Sequence, residues 1–272
     1  MHEPVQVGKA ETRRSSSPLP WRGQTQPNPC RYYPPFPALP TTLVELELLL
    51  GGQSLDLAKI VSVIRRDPGF AAEVVRLARS YEDQRPLPLE TCLIHLGTRT
   101  LRRAARMVPV WTQPLSEAEV WKLRWRLRRT RFVALAAETI SMQLGDLSPE
   151  TAYLAGLLHD LPALVCLSDT CSCSLKEIAP SRENWNLPDY LVQSMRWHWQ
   201  PVQADPQHVQ TVRRVAVARE WVNKLQISAT DRPAALDQLI VENPLWQHLP
   251  NKMEVLQRLA TKVEEWQHAY SG

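Results

Sequence analysis

Glycine and phenylalanine are scarce in this chain, nine and three among 272 residues. Leu, Ala, Val, Arg and Glu are abundant instead, a balance that leans toward helix. No uninterrupted apolar run approaches the roughly 20 residues a membrane span needs, so no membrane segment is expected. The N-terminal stretch MHEPVQVGKAETRRSSSPLPW carries basic residues but no apolar core. A secretory signal is therefore not expected, and a cytoplasmic location is. Neither sign of charge dominates: 32 Lys and Arg face 28 Asp and Glu, a net +4 with a pI of 8.9. That permits an anionic partner without demanding one.

Cysteine is also sparse, at five residues, of which Cys166, Cys171 and Cys173 cluster. Their C-x4-C-x-C spacing matches no usual zinc pattern, and no fourth ligand stands at a familiar offset. Three reduced thiols near a helix end are the expected state, with no metal and no other cofactor.

What remains is the composition of a soluble globular protein, 44% hydrophobic and 22% charged. Its length suffices for one large domain or two of moderate size. Residues 1–37 hold eight prolines among serine, glutamine and arginine, too little apolar surface to offset ordering, and read as a disordered tail. Helical signals start after Pro40. TTLVELELLL stops at Gly51–Gly52, and Ser54 is the expected cap of LDLAKIVSVIRR, with Leu57, Ile60, Val61 and Ile64 on one face. Asp67-Pro68-Gly69 ends one helix and starts the next, with Asp67 as cap and Pro68 at the first helical position. Phe70, Val74, Leu77 and Ala78 then fall in register. PLETCLIHLG closes at Gly97, and TRTLRRAARMV adds one short helix.

A second half opens at Ser116 with two acids in a first turn. It runs to Leu144 as one helix or as two with a bend. Ser148-Pro149-Glu150 starts the next, and later helices are expected at 188–198, 206–226, 233–242 and 252–268. WKLRWRLRR, Trp121 to Arg129, alternates apolar and basic residues with a strand's period. Its strongly helical flanks and good helix formers favour helix all the same. No strand and no fixed-period repeat is expected, so the fold class is all-α.

The run AGLLHDLPALVCL sets His159 and Asp160 in a nearly all-apolar stretch, and buried polar groups need partners. Either a metal holds the pair or a helix end does. LPTTLVELELLL, then LAKIVSVIRRDPGFAAEVVRLARS, then AYLAGLLHDLPALV and WNLPDYLVQSMRWHWQP together resemble the HDOD domain, the HD-related output domain of bacterial signalling proteins. The resemblance spans roughly residues 36 to 230. It implies a multi-helix HD-like bundle: tail 1–37, an N-terminal helical half 38–113, an HD-like half 114–230 and a C-terminal helical extension 231–272. Arg79 departs from the family, which often has asparagine there.

HD phosphohydrolases hold divalent metal with a histidine, the His-Asp doublet and a later aspartate. Catalytic metals need about three protein ligands. Carried over, the doublet is His159–Asp160, whereas the upstream histidine's place falls on or near Arg129 and the late aspartate's near Arg219. Glu220 is the nearest acid, about 100° round the helix. A guanidinium inside a cation site repels the ion. The resemblance thus implies a degenerate centre without catalysis: His159 bonded to a carbonyl, Asp160 held by next-helix amides or by Arg129 or Arg219. His198 stands where the family often has a pair of histidines, and is expected as a helix-end residue.

The middle of the chain concentrates arginine, including Arg99, Arg102, Arg103, Arg106, Arg124, Arg126, Arg128, Arg129 and Arg131, beside Trp111, Trp121 and Trp125. Most of the tryptophans are expected in the core and most of the arginines on a solvated face. Arg124, Arg126, Arg128, Trp121 and Trp125 form the candidate interaction surface, since Trp and Arg dominate interface hot spots. The leading expectation is a non-catalytic signalling module that meets a protein partner. The alternatives are a metal-dependent phosphohydrolase of nucleotides, and a binder of nucleic acid, nucleotide or another anion through the Arg/Trp-rich middle.

Overall fold

The computed structural model describes residues 34–52, 54–79, 86–111, 117–145, 147–165 and 185–224, with Arg258 and Thr261. The tail up to residue 33, Cys166, Cys171, Cys173 and most of the C-terminal extension lie outside the described residues, as does the expected helix 233–242. Among the described residues the chain is all-α: α1 Pro40–Gly51, α2 Leu57–Ile64, α3 Pro68–Ala78, α4 Leu89–Met107, α5 Glu117–Leu144, α6 Pro149–Leu158, α7 Leu161–Val165, α8 Asp189–Trp197 and α9 Val209–Lys224. A 3-10 turn at Pro201–Gln203 separates α8 from α9. The extended element is one isolated parallel bridge between Ala38 and Val110.

Local chemistry sets the boundaries. Asp67 caps α3 by accepting from Phe70 N at 3.0 Å, with Pro68 in the first turn where its missing N–H is harmless. The same carboxylate accepts from Leu39 N at 2.7 Å and so ties the chain's entry to α3. Ser54 does not cap α2. The helix begins only at Leu57, and Asp56 accepts from Lys59 N at 3.0 Å. Gly97 adopts φ 66° and bends α4 into the two segments expected, since a left-handed residue ends one helix cheaply only as glycine.

Burial fuses the two expected halves. One continuous apolar core includes Phe36, Ile64, Phe70, Leu96, Val133, Leu157, Leu191 and Trp221, so it crosses the boundary at 113/114. Phe36, assigned to the tail, is buried and meets Trp185 edge-on at 4.9 Å. The packed unit therefore begins before residue 38. Tryptophan departs from expectation in a similar way. Trp185 and Trp221 are core, whereas Trp121 and Trp125 are exposed.

The α5 segment Trp121–Arg129 is helical, and its period-two pattern resolves into two stripes. Leu123 and Leu127 point inward to Leu164 of α7, while Trp121 and Trp125 share an outward face one turn apart. α5 then crosses α6 at close range. A Cβ on Gly156 would lie 2.7 Å from Ala134 Cα and 3.0 Å from Val133 O, so only glycine admits that approach. An ion cluster joins the halves beside the crossing. Arg65 reaches Glu138 at 2.5 Å and Glu150 at 3.3 Å, and lies 3.7 Å over the Tyr153 ring.

Candidate functional site

The His-Asp doublet occupies the break between α6 and α7. His159 is the C-cap of α6 and only 1% exposed. Its Nδ1 lies 2.6 Å from Gly156 O, and because a carbonyl only accepts, Nδ1 carries the proton. His198 repeats the arrangement at the C-cap of α8, with Nδ1 donating to Ser194 O at 2.9 Å. The two rings meet edge to face, centroids 4.9 Å apart at 90°, and Trp199 covers His198 at 4.3 Å. Burial pushes both imidazoles down to about 3. For His159 the Arg129 guanidinium adds to the effect of burial. For His198 the neighbouring His159 and then Arg219 do so.

Arginine holds the aspartate. Arg126 Nη1 donates to Asp160 Oδ2 at 3.0 Å, and Arg129 Nη1 stands 3.8 Å from the same oxygen. Arg129 also donates through Nε and Nη2 to Asn223 Oδ1 of α9, at 3.0 and 2.9 Å, and lies 5.6 Å from the Trp125 ring. Burial lowers the Arg129 pKa; Asp160 opposes that shift, while Arg219 and Arg126 reinforce it.

Each expected site residue now has a place. His159 bonds a carbonyl as expected, and Arg129 meets Asp160. Arg219 stands close enough to act electrostatically on His159 and Arg129 but does not pair with Asp160. The salt bridge falls instead to Arg126, a residue of the candidate interaction surface. Its position three residues before Arg129 places both on one face of α5, the face presented to α6 by the Gly156 crossing. Arg128 is partly buried, 5.7 Å over the Phe132 ring. Arg124, Trp121 and Trp125 stay exposed. His198 is a helix-end residue, yet it is also His159's ring partner, a long-range contact that no local signal announces. Arg79, the departure from the family, donates to Leu187 O.

The donor set fits a divalent metal poorly. Both imidazoles keep Nδ1 on a backbone carbonyl, the orientation a metal-ligating histidine takes. Nevertheless, the single carboxylate is shared by two guanidiniums, and among the described residues no three His, Cys, Asp or Glu side chains converge to hold an ion. A divalent ion about 4 Å from a guanidinium would meet roughly 8 kcal/mol of repulsion at an effective dielectric of 20. No hydrolytic step is derived through such an ion.

Known proteins share this fold. The MmoQ response regulator of Methylococcus capsulatus str. Bath superposes with a TM-score of 0.57 at 16% identity, over 82% of this chain and 97% of that one. A second crystal structure of that protein, fragment 20–298, gives 0.54 at 15% identity, over 84% and 92%. An uncharacterized protein of Treponema pallidum (strain Nichols) is 23% identical over an alignment 221 residues long, gaps included, that covers 70% of this chain and 42% of that protein. The chain thus matches well under half the length of that curated relative. The model of the HDOD domain matches residues 36–179, the stretch that holds the doublet, the α5–α6 crossing and the capped α3. More than half of the chain is covered by that match, and the protein belongs to the HDOD domain family.

Proposed function

We propose that this chain is a non-catalytic regulatory module that acts by offering its surface to a protein partner in a signalling pathway. The observation that carries the reading is the Asp160 carboxylate clasped by Arg126 at 3.0 Å with Arg129 at 3.8 Å. A carboxylate so engaged is a structural link between α5 and the α6–α7 break. The charge-assisted bonds do there what metal ligation does in a hydrolase centre. Family membership supports a signalling setting, and the fold is shared with a protein described as a response regulator.

The surface offered is the outer face of α5. Trp121 is 65% and Trp125 44% exposed, with Arg124 exposed between them. Large rings left in water beside a guanidinium are the composition of an interface hot spot.

Hydrolysis of bis(p-nitrophenyl) phosphate in Mn²⁺ and in Mg²⁺ tests the claim. The expected rate is that of buffer alone. Metal-dependent turnover that disappears in Asp160→Asn would overturn the proposal.

A further inference from the structure

Past the bend at Gly97, the second segment of α4 buries one face and charges the other. Leu101, Ala104, Ala105 and Val108 are buried. Arg99, Arg102, Arg103 and Arg106 lie outward at i, i+3, i+4 and i+7, and with Thr98 and Met107 they line an open trough of about 470 Å³. Like charges one turn apart, Arg99 with Arg103 and Arg102 with Arg106, weaken a helix. Folding alone therefore gives no reason for the stripe.

One edge of the stripe shows what it accepts. Arg106 Nη2 donates to Glu47 Oε1 at 3.0 Å, and Arg102 donates to Leu50 O, both acceptors on α1. α1 thus supplies a carboxylate and a main-chain oxygen from its negative end. The other edge has no such cover. Arg99 and Arg103 make no hydrogen bond or ion pair among the described residues. Met107, 64% exposed, continues their line one turn further. The three form one i, i+4, i+8 ridge, about 12 Å long at about 1.5 Å per residue.

We infer that this ridge docks an acidic helix of a protein partner, one that sets two carboxylates a turn apart on Arg99 and Arg103 and an apolar side chain on Met107. Guanidinium holds a carboxylate through paired N–H bonds, and the flexible methionine fits a variety of apolar groups. A nucleic-acid backbone suits the ridge less. It offers Met107 nothing apolar, and no aromatic ring lines the trough for a base to stack on. The inference rests on the reading of the chain as a module that meets a protein. It adds a face on α4 to the one on α5 and names the chemistry of what binds there.

NMR of the full chain, isotope-labelled at the methyls of its five methionines, tests it, with Met107→Leu assigning the signal. The probe is an alanine-based peptide of about 20 residues, long enough to be helical in water, with Glu at i and i+4 and Leu at i+8. The Met107 signal is expected to shift and to saturate at roughly millimolar peptide, and to stay in place with the same peptide carrying Gln for Glu. Arg99→Gln combined with Arg103→Gln is expected to weaken the peptide roughly fivefold, while Arg124→Gln on α5 leaves it unchanged. An equal shift with the Gln peptide, or none with the Glu peptide, would overturn the inference. A larger shift at equal charge with oligothymidylate or with phosphatidylglycerol vesicles would assign the face to nucleic acid or membrane, and overturn it too. So would a shift that follows the concentration of the chain alone, the sign of a second copy. The Glu-to-Gln comparison uses the unaltered protein, so it decides even if the double arginine variant fails to fold. The parent reading fails differently, through metal-dependent hydrolysis. A chain with neither peptide binding nor hydrolysis keeps that reading and loses this partner.

Discussion

Acid should unfold this protein early, through two histidines. His159 and His198 are both buried, and burial holds both near 3. In the unfolded chain each returns to about 6.5. A histidine whose folded value is depressed binds its proton only after unfolding. The stability it contributes is therefore complete above pH 6.5 and falls as the pH drops toward 3. Integrating from pH 7 to pH 5 gives about 2 kcal/mol per histidine, or about 4 kcal/mol for the pair. Neither ring reaches solvent appreciably, so screening takes little from this figure. The carboxyls of buried Asp67 and half-buried Glu138 are raised by desolvation and work in the opposite direction, because protonation favours their folded form. Urea unfolding followed by tryptophan fluorescence at pH 7 and pH 5 measures the sum. Replacement of one ring, His198→Gln, removes one titrating site and should cut the acid loss by about 2 kcal/mol. An acid loss as large in both His159→Gln and His198→Gln as in the native chain would refute the reasoning.

Three further outcomes follow from the same contacts. Asp160→Ala strands the guanidiniums of Arg126 and Arg129 beside buried rings; with Arg126 partly solvated the expected loss is about 2 kcal/mol, read as a lower melting midpoint. Gly156→Ala drives a methyl into the Ala134 backbone and should destabilise by about 1–3 kcal/mol, checked by chemical denaturation. Trp121→Ala with Trp125→Ala should cost no more than about 1 kcal/mol, because Trp121 faces water and half-exposed Trp125 loses only its contact with Arg129, while abolishing complexes recovered with the native chain by cross-linking in cells.

Much of the fold was legible because its signals are local. Asp67-Pro68 carries a cap and a first-turn proline in adjacent letters, and Gly97 marks a bend that only a positive φ produces. The stretch Trp121–Arg129 was ambiguous because two apolar stripes, one buried and one exposed, add up to an alternating text. The doublet was legible as a buried polar pair in need of partners, and Arg129 as one of them. Arg126 was not. Among closely spaced arginines, composition cannot say which points inward, and helix phase decides only once the Gly156 crossing is known. The His159–His198 contact and the cluster of Arg65, Glu138, Glu150 and Tyr153 were illegible for another reason. They join residues far apart in sequence, and only tertiary packing brings them together.

Crystals grown in manganese test the central claim most directly. The account predicts no anomalous peak at the α6–α7 break, with Arg126 Nη1 within hydrogen-bonding distance of Asp160 Oδ2 as it is here. A manganese ion coordinated by His159 Nε2 and the Asp160 carboxylate, with both guanidiniums swung away, would contradict it.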